Sequence, residues 1–284
     1  MQSQQQVGIR GVLRVPASGT DITTVDTCAT PGFEGDKHDG ERALVGLAAE
    51  VSGLQERLFA QSRAGGPARA VLLIVQGMDT SGKGGIMRHV VGMVDPQGVS
   101  IRAFKAPTEE ELEHDFLWRI RRAVPAPGLI GVFDRSHYED VLIARVENLV
   151  PPQEWQGRYE LINAFEAEVV ASGTAVVKVM LHISREEQGA RLAERLQRPD
   201  KHWKYNPYDV DSRRRWPDYM TAYSTALTRC STDVAPWHVV PADRKWYARW
   251  AVASLLVEAL REIDPQWPVA DFDVEAEKAR LAAS

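Results

Sequence analysis

Residues 77–85 read "GMDTSGKGG", which sets Gly77, four further residues, and then Gly82 and Lys83. This is the spacing of a phosphate cradle. Glycines let backbone N–H groups converge on phosphate oxygens, and the lysine reaches the terminal phosphates as a point charge. Two residues depart from the usual pattern. Gly84 stands where such loops carry a Ser or Thr hydroxyl for magnesium, and Asp79 puts a carboxylate in a loop built for anions. Mg²⁺ prefers hard oxygens, keeps several waters and commonly takes one or two carboxylates. The spacing therefore predicts a metal bridged at Asp79, or an acid that contacts the acceptor's nucleophilic oxygen. The bland alternative is a glycine-rich turn whose lysine is merely solvated.

A second acid lies in "GVFDRSHYED", where an apolar run ends in Asp134 followed by Arg135. A strand-end Asp is where nucleotide-handling sheets place a second metal-facing carboxylate, and Arg135 adds a planar fork for phosphate oxygens. Asp134 also suits a helix cap, but Ser136 is the more natural one. His137, Glu139 and Asp140 stay ambiguous, because a lone His is usually structural and this spacing is no metal signature.

Residues 191–215, "RLAERLQRPDKHWKYNPYDVDSRRR", concentrate cations in an acidic chain. Arg191, Arg195 and Arg198 recur at helical spacing; Lys201 and Lys204 flank Trp203; Arg213 to Arg215 follow. One reading is a solvated face with Glu194, Asp209 and Asp211 as partners. The other is a lid, spanning about 185–218, that closes over a transferred phosphate and holds a linear polyanion. Trp203, Tyr205 and Tyr208 read as lid core in preference to a base-stacking surface.

These groups need a scaffold. "AVLLIVQ" (70–76), "VSIRAF" (99–104), "LIGVFD" (129–134), "AVVKVMLHI" (175–183) and "WHVVPA" (237–242) are short apolar runs, each expected as a buried parallel strand. Amphipathic stretches between them are expected as helices over 41–62, 86–94, 108–122, 136–146, 153–172, 185–198, 209–229 and 243–263. Thr108 and Glu111 form a capping-box signature at the third of these. The alternation predicts a three-layer α/β/α domain around a parallel sheet of about five strands, with the phosphate loop at the strands' carboxyl ends. Residues 1–40 are expected as an extended arm or a surface wrap, and the polar tail from Pro265 as peripheral.

Bulk properties fit one domain spanning 1–284. The chain has 284 residues, 44% of them hydrophobic and 26% charged, with a formal net charge of −5. That charge gives no electrostatic case for nucleic acid or a membrane surface. Cys28 and Cys230 are far apart in sequence and show no metal-ligand spacing. No run approaches a membrane span, and the N-terminus lacks an apolar leader, so the expected location is cytoplasmic.

Taken together, "QGMDTSGKGG", "FDRSHYEDVL", "PDKHWKYNPYDVDSRRRWPDYMTAY" and "APWHVVPADRKWYA" resemble the polyphosphate kinase 2 family, from "TPGFEGDK" near residue 31 to about residue 263. The resemblance implies a P-loop kinase fold with a helical lid. It implies phosphoryl transfer between inorganic polyphosphate and nucleoside mono- or diphosphates with Mg²⁺, Mn²⁺ being an alternative, and a homo-oligomer. By position, Asp79, Lys83, Asp134 and Arg135 match the family's loop and strand-end residues, with Asp79 and Asp134 as metal ligands. Gly77, Gly82 and Gly84 match the loop, and Arg191, Arg195, Lys201, Lys204 and Arg213 the phosphate-binding cations. "RSHYEDVL" resembles a branch that accepts both AMP and ADP, in which Asn is expected at position 134. Asp stands there, so the acceptor preference remains open. An ATP-dependent small-molecule or nucleotide kinase and a non-catalytic polyphosphate- or nucleotide-binding regulator are the competing expectations. The retention of both Asp79 and Asp134 argues against the second.

Overall fold

The computed structural model describes residues 8–284. Its strands are β1 (Ala70–Gln76), β2 (Val99–Ala103), β3 (Ile130–Asp134), β4 (Thr174–His182) and β5 (Trp237–Pro241). They form one all-parallel sheet in the order β2-β3-β1-β4-β5. All five expected strands are present, within a residue or two of their expected ends. Helices α1 (Ile9–Leu13), α2 (Lys37–Arg63), α3 (Lys83–His89), α4 (Glu109–Leu112), α5 (Trp118–Arg121) and α6 (Ile143–Val146) precede the middle of the chain. Then come α7 (Pro152–Ala171), α8 (Arg185–Gln197), α9 (Tyr208–Arg214), α10 (Trp216–Arg229), α11 (Lys245–Ile263) and α12 (Val274–Ala282).

Strand β1 shows why the sheet is sandwiched. Its side chains alternate between faces, as any strand's must. Val71, Leu73 and Val75 enter one core with Leu58 of α2, Ile86 of α3 and Leu256 of α11. Leu72 and Ile74 enter the other with Phe165 of α7 and Leu227 of α10. Both sets are shielded from water, so no polar alternation survives in the sequence. Full burial of one such aliphatic side chain contributes about 1.5–3 kcal/mol, and the two layers depend on the sum of many.

Several helices differ from expectation for local reasons. The stretch 108–122 is two short helices, not one. The Thr108–Glu111 capping box starts α4, but Asp115 accepts from the Leu117 amide at 3.0 Å and turns the chain before α5. A short polar side chain that bonds nearby backbone competes with the helix in this way. The expected 209–229 helix is broken at Arg215, and Pro217 sits in the first turn of α10, where its missing N–H is no loss. The 136–146 stretch is a 3₁₀ turn over His137–Asp140 capped by Ser136, followed by α6. The stretch expected over 86–94 begins earlier, inside the loop at Lys83, and stops as α3 at His89, with a 3₁₀ turn at Val91–Met93. Helix α2 begins at Lys37, earlier than expected, on an Asp36–Asp39 capping box. Of the two expectations for 1–40, the described part follows the wrap: Ile9, Leu13, Val15 and Ile22 are buried in the two cores. Its first seven residues lie outside the described residues. Helix α12 has no buried residue, as expected of a peripheral tail.

Among the described residues no helix is long and apolar enough to cross a membrane. Register brings the site together: Asp134 at the end of β3 lies level with Val75 of β1, one residue before Gln76 and the loop.

Candidate functional site

The loop between β1 and α3 needs its first glycine. Gly77 has φ +151°, and a Cβ there would meet the Leu181 carbonyl oxygen at 2.6 Å. Gly82, at φ +112°, turns the chain into α3. Thr80 takes φ +65° without being glycine, a conformation that costs about 1–2 kcal/mol. Lys83 folds back over the loop: its Nζ donates to the carbonyls of Gly77 at 2.7 Å and Met78 at 3.2 Å. Burial, with Arg135 adding to it, pushes the Lys83 ammonium below its ordinary range, while Asp79, Asp134 and Glu139 oppose the shift. A phosphate arriving here would replace carbonyl partners with full negative charge.

Arg135 joins the two motifs. It sits at φ +63°, which aims its guanidinium across to the loop. Its Nη2 donates to Asp79 Oδ1 at 2.9 Å, and its Nη1 lies 3.8 Å from Glu139 Oε2. The Glu139 carboxylate, with Asp79 helping, holds Arg135 above its ordinary range. Burial in turn pushes the Glu139 carboxyl up, against Arg135 and Lys83. Glu139 is therefore part of the site, whereas His137 and Asp140 are structural. His137 is fully buried against Glu166 at 3.2 Å. Asp140 pairs with Arg158 at 3.3 Å and Arg119 at 3.8 Å.

Three adjoining cavities run past the loop. The first, of about 90 Å³, is lined by Gly77, Asp79, Arg135, Glu139, Asp209 and three tyrosines, Tyr208, Tyr219 and Tyr223, among others. The second, of about 350 Å³, is lined by Asp79, residues 80–85, Arg88, Asp134, Arg195, Lys201 and Lys204, among others. The third, of about 230 Å³, continues behind the loop toward α11. The excess charge therefore changes along the cleft: the first cavity sets Asp79, Glu139 and Asp209 against Arg135, and the second sets Lys83, Arg88, Arg195, Lys201 and Lys204 against Asp79 and Asp134. Asp209 sharpens the acidic end: it is only 6% exposed, and burial, with the Asp79 charge adding, pushes its carboxyl up to about 6.

The basic segment divides on inspection. Arg195, Lys201 and Lys204 face the second cavity together. Arg195 also donates to the Lys204 carbonyl at 3.0 Å and to Asp209 at 3.3 Å, and Lys204 lies 4.8 Å over the Trp203 ring. Arg191 is turned to the protein. Four donations go to Glu187, Thr80 O, Ala242 O and Asp243 O, leaving one of a guanidinium's five N–H groups. Arg191 thus braces the loop through Thr80 while still lining the cavity beside Ser81 and Gly82. Arg213 likewise donates to Arg185 O and to Gln188 Oε1, and packs over Gly189 of α8. Arg198 pairs with Glu194 and Asp200 at the surface. Trp203 is 78% exposed and Tyr208 41%, so these two aromatics are not lid core. Gln188, overlooked in the sequence, is fully buried and donates to the Asp79 carbonyl at 3.3 Å. No local signal marks a single Gln on an amphipathic helix as a loop anchor.

The residues present fit a divalent metal of the magnesium kind. Among the described residues no group of three or more His, Cys, Asp or Glu could cage an ion. Asp79 and Asp134 nevertheless line one cavity beside the phosphate loop. Two carboxylates with the remaining ligands left to waters and phosphate is the pattern Mg²⁺ adopts, unlike a metal that needs an all-protein site. Gly84, without a hydroxyl, offers no competing ligand.

Comparison with known proteins is consistent along most of the chain. The family model described as polyphosphate kinase 2 matches residues 34–268. An AMP/ADP-polyphosphate phosphotransferase from Meiothermus ruber is 43% identical over 253 residues, covering 89% of this chain and 93% of the relative. An ADP-polyphosphate phosphotransferase from Rhodopseudomonas palustris is 40% identical over 260 residues, covering 87% and 88%. The crystal structure of polyphosphate kinase 2 from Arthrobacter aurescens TC1 superposes with a TM-score of 0.95 at 53% identity, covering 98% of each chain. With the phosphate loop, the strand-end Asp–Arg pair and the parallel sheet all in register, the chain belongs to the polyphosphate kinase 2 family.

Proposed function

We propose that this protein is an enzyme that transfers a phosphoryl group between inorganic polyphosphate and a nucleoside mono- or diphosphate. The observation that carries this reading is a change in the excess charge along the cleft: Asp79, Glu139 and Asp209 outnumber Arg135 at one end, while Lys83, Arg88, Arg195, Lys201 and Lys204 outnumber Asp79 and Asp134 beside the phosphate loop. A nucleotide phosphate suits the acidic end once a cation offsets the carboxylates. A linear polyanion suits the basic end.

Phosphoryl transfer needs positioning and charge stabilisation more than covalent chemistry. Gly77 and Gly82 supply the positive-φ turns that bring the loop's backbone N–H groups toward phosphate, with Gly84 following in the first turn of α3. Lys83 and Arg135 stabilise the charge on the transferring group, and Arg135 keeps Asp79 in place while doing so. Asp79 and Asp134 would hold Mg²⁺, or Mn²⁺ in its stead; bound there, the ion would neutralise charge between acceptor and donor phosphates. Arg195, Lys201 and Lys204 grip the donor chain, on a helical lid over about 185–218 that excludes water. Arg191 and Arg213 support that frame through the contacts described above. The attacking phosphate oxygen is already anionic, so no strong general base is required. We place all of this within a single domain that acts as a homo-oligomer.

The test is product analysis with AMP, ADP, GMP and GDP separately, each with polyphosphate and Mg²⁺. Conversion of at least one to the next higher phosphate is expected. Product from ATP and a non-nucleotide acceptor, with none from polyphosphate, would instead indicate an ATP-dependent small-molecule kinase. Binding without turnover of any pair would indicate a regulator.

A further inference from the structure

Two successive carbonyls of the phosphate loop are held by one helix. Gln188 of α8 donates from Nε2 to the Asp79 carbonyl at 3.3 Å. Arg191, one turn further along α8, donates from Nη1 to the Thr80 carbonyl at 2.8 Å. The peptide between Asp79 and Thr80 is trans, so its C=O and N–H point opposite ways. With the carbonyl turned to α8, the Thr80 N–H is turned away from it. Among the described residues that N–H donates to no protein group, whereas the Ser81 N–H is taken by the Met78 carbonyl at 3.1 Å. Thr80 lines the cavity that Asp79, Lys83 and Asp134 also line. The arrangement is strained: Thr80 sits at φ +65°, and a residue stays there only where its surroundings hold it. Half a turn of the 79–80 peptide would carry φ to the ordinary negative side and bring the N–H round to α8.

Gln188 suits this place because its two ends differ. It is fully buried, and its Oε1 accepts from Arg213 Nη1 of α9 at 3.2 Å. A guanidinium only donates and a peptide carbonyl only accepts. The side chain between Arg213 and Asp79 O must accept at one end and donate at the other, which an amide does and a carboxylate does not. Arg213 thereby fixes which way round the amide stands. We propose that Gln188 is a positioning residue for phosphoryl transfer: it fixes the 79–80 peptide so that the Thr80 N–H meets the phosphate at the loop, and through it Arg213 couples the placement of α9 to that N–H. The inference rests on the loop holding the transferred phosphate.

The test is steady-state kinetics with ADP, long-chain polyphosphate and Mg²⁺. Gln188→Met keeps the volume and removes both bonds, and its kcat should fall about tenfold to a hundredfold. Both KM values should stay within about threefold of wild type, as expected when the lost contact belongs to the transition state. Gln188→Glu still accepts from Arg213 but sets an oxygen against the Asp79 carbonyl, so its kcat should fall at least as far. Thr80→Gly lowers the cost of the positive φ; added to either Gln188 variant it should raise kcat by about threefold or more, and by more than it does in wild type. A merely structural role for Gln188 gives no such rescue. Arg213→Met should lower kcat about threefold to tenfold in wild type and no further in the Gln188 variants, because the two residues act through one bond. Should Gln188→Met not fold, Gln188→Glu and Arg213→Met carry the same comparisons. A kcat within about twofold of wild type in the Gln188 variants, no gain from Thr80→Gly, or losses at Gln188 and Arg213 that add, overturns the positioning role, while turnover by wild type keeps the functional reading. No turnover by wild type overturns both.

Discussion

Arg135 Nη2 donates to Asp79 Oδ1 at 2.9 Å, so the end of β3 and the phosphate loop are tied by one charge-assisted bond. The tie is made by a residue at φ +63°. Backbone and side chain therefore want different residues there, and the two wants can be separated. Arg135→Ala and Arg135→Gly should both lower kcat by about 10²–10³, the usual loss for a group that stabilises transition-state charge. Glycine relieves the left-handed backbone and alanine does not, so Arg135→Gly should be the more stable of the two by about 1 kcal/mol. Steady-state kinetics beside denaturant melts check both statements; equal stability of the two would remove the strain argument.

Asp209 makes the empty site pH-sensitive. Its carboxyl is pushed up to about 6 from 3.8, first by burial and then by the charge of Asp79. A raised acid adds stability below its unfolded value and loses it as pH rises through the folded one. Between pH 4 and 6 the unfolded chain gives up this proton while the folded one holds it. Asp209→Asn should therefore be more stable than wild type at pH 7–8 by up to about 2 kcal/mol, with the gap closing by pH 4. Thermal melts without substrate, taken from pH 4 to 8, measure this. A gap independent of pH would mean that Asp209 carries no buried charge.

Much of this was legible in the residues because two signals are local. The strands are apolar on both faces, and glycine spacing after β1 marks the loop. Asp134 and Arg135 could be singled out because a strand end is also a sequence boundary. What stayed hidden depends on distant partners. Arg191 has the same helical spacing as Arg195 and both line the cavity beside the loop, yet Arg191 makes four donations to protein groups including Thr80 O and Ala242 O, while Arg195 also reaches the second cavity. Only the packing of α8 against the loop separates them. Gln188 lies in unremarkable helical sequence. Trp203 appears to the eye as a core aromatic and is exposed, since nothing in its flanks encodes which side of the 3₁₀ turn faces water.

A buried ion pair supports the turn that follows Arg135. Lys178 of β4 is fully buried and donates to Glu166 at 2.5 Å, to the Tyr138 hydroxyl at 2.9 Å and to the Cys230 carbonyl at 2.6 Å. Removing one partner strands the other charge in the core. Lys178→Met alone should cost about 3–5 kcal/mol, whereas Lys178→Met/Glu166→Leu should return to within about 2 kcal/mol of wild type. Urea denaturation of the set, treated as a double-mutant cycle, gives the coupling. A double variant as unstable as the two single losses added together would show that the pair is not coupled.

Gly84 tests the missing hydroxyl directly. A Cβ at this position meets nothing within 4 Å, and the residue lies in the first turn of α3. Gly84→Ser is therefore sterically free and exchanges a poor helix residue for a better one, worth about 0.5 kcal/mol of stability. If the loop were a damaged version of the usual cradle, restoring the hydroxyl would strengthen metal use. With Asp79 and Asp134 as the ligands, the hydroxyl has no vacancy to fill. The Mg²⁺ concentration for half-maximal activity should then stay within about twofold of wild type, since a surplus hydroxyl adds no charge to an oxygen set already supplied by carboxylates, waters and phosphate. The same titration on Asp134→Asn should shift upward by tenfold or more, about 1.4 kcal/mol, because one anionic ligand is lost. Tighter Mg²⁺ use in Gly84→Ser together with no shift in Asp134→Asn would place the metal at the loop and remove the carboxylates from its shell.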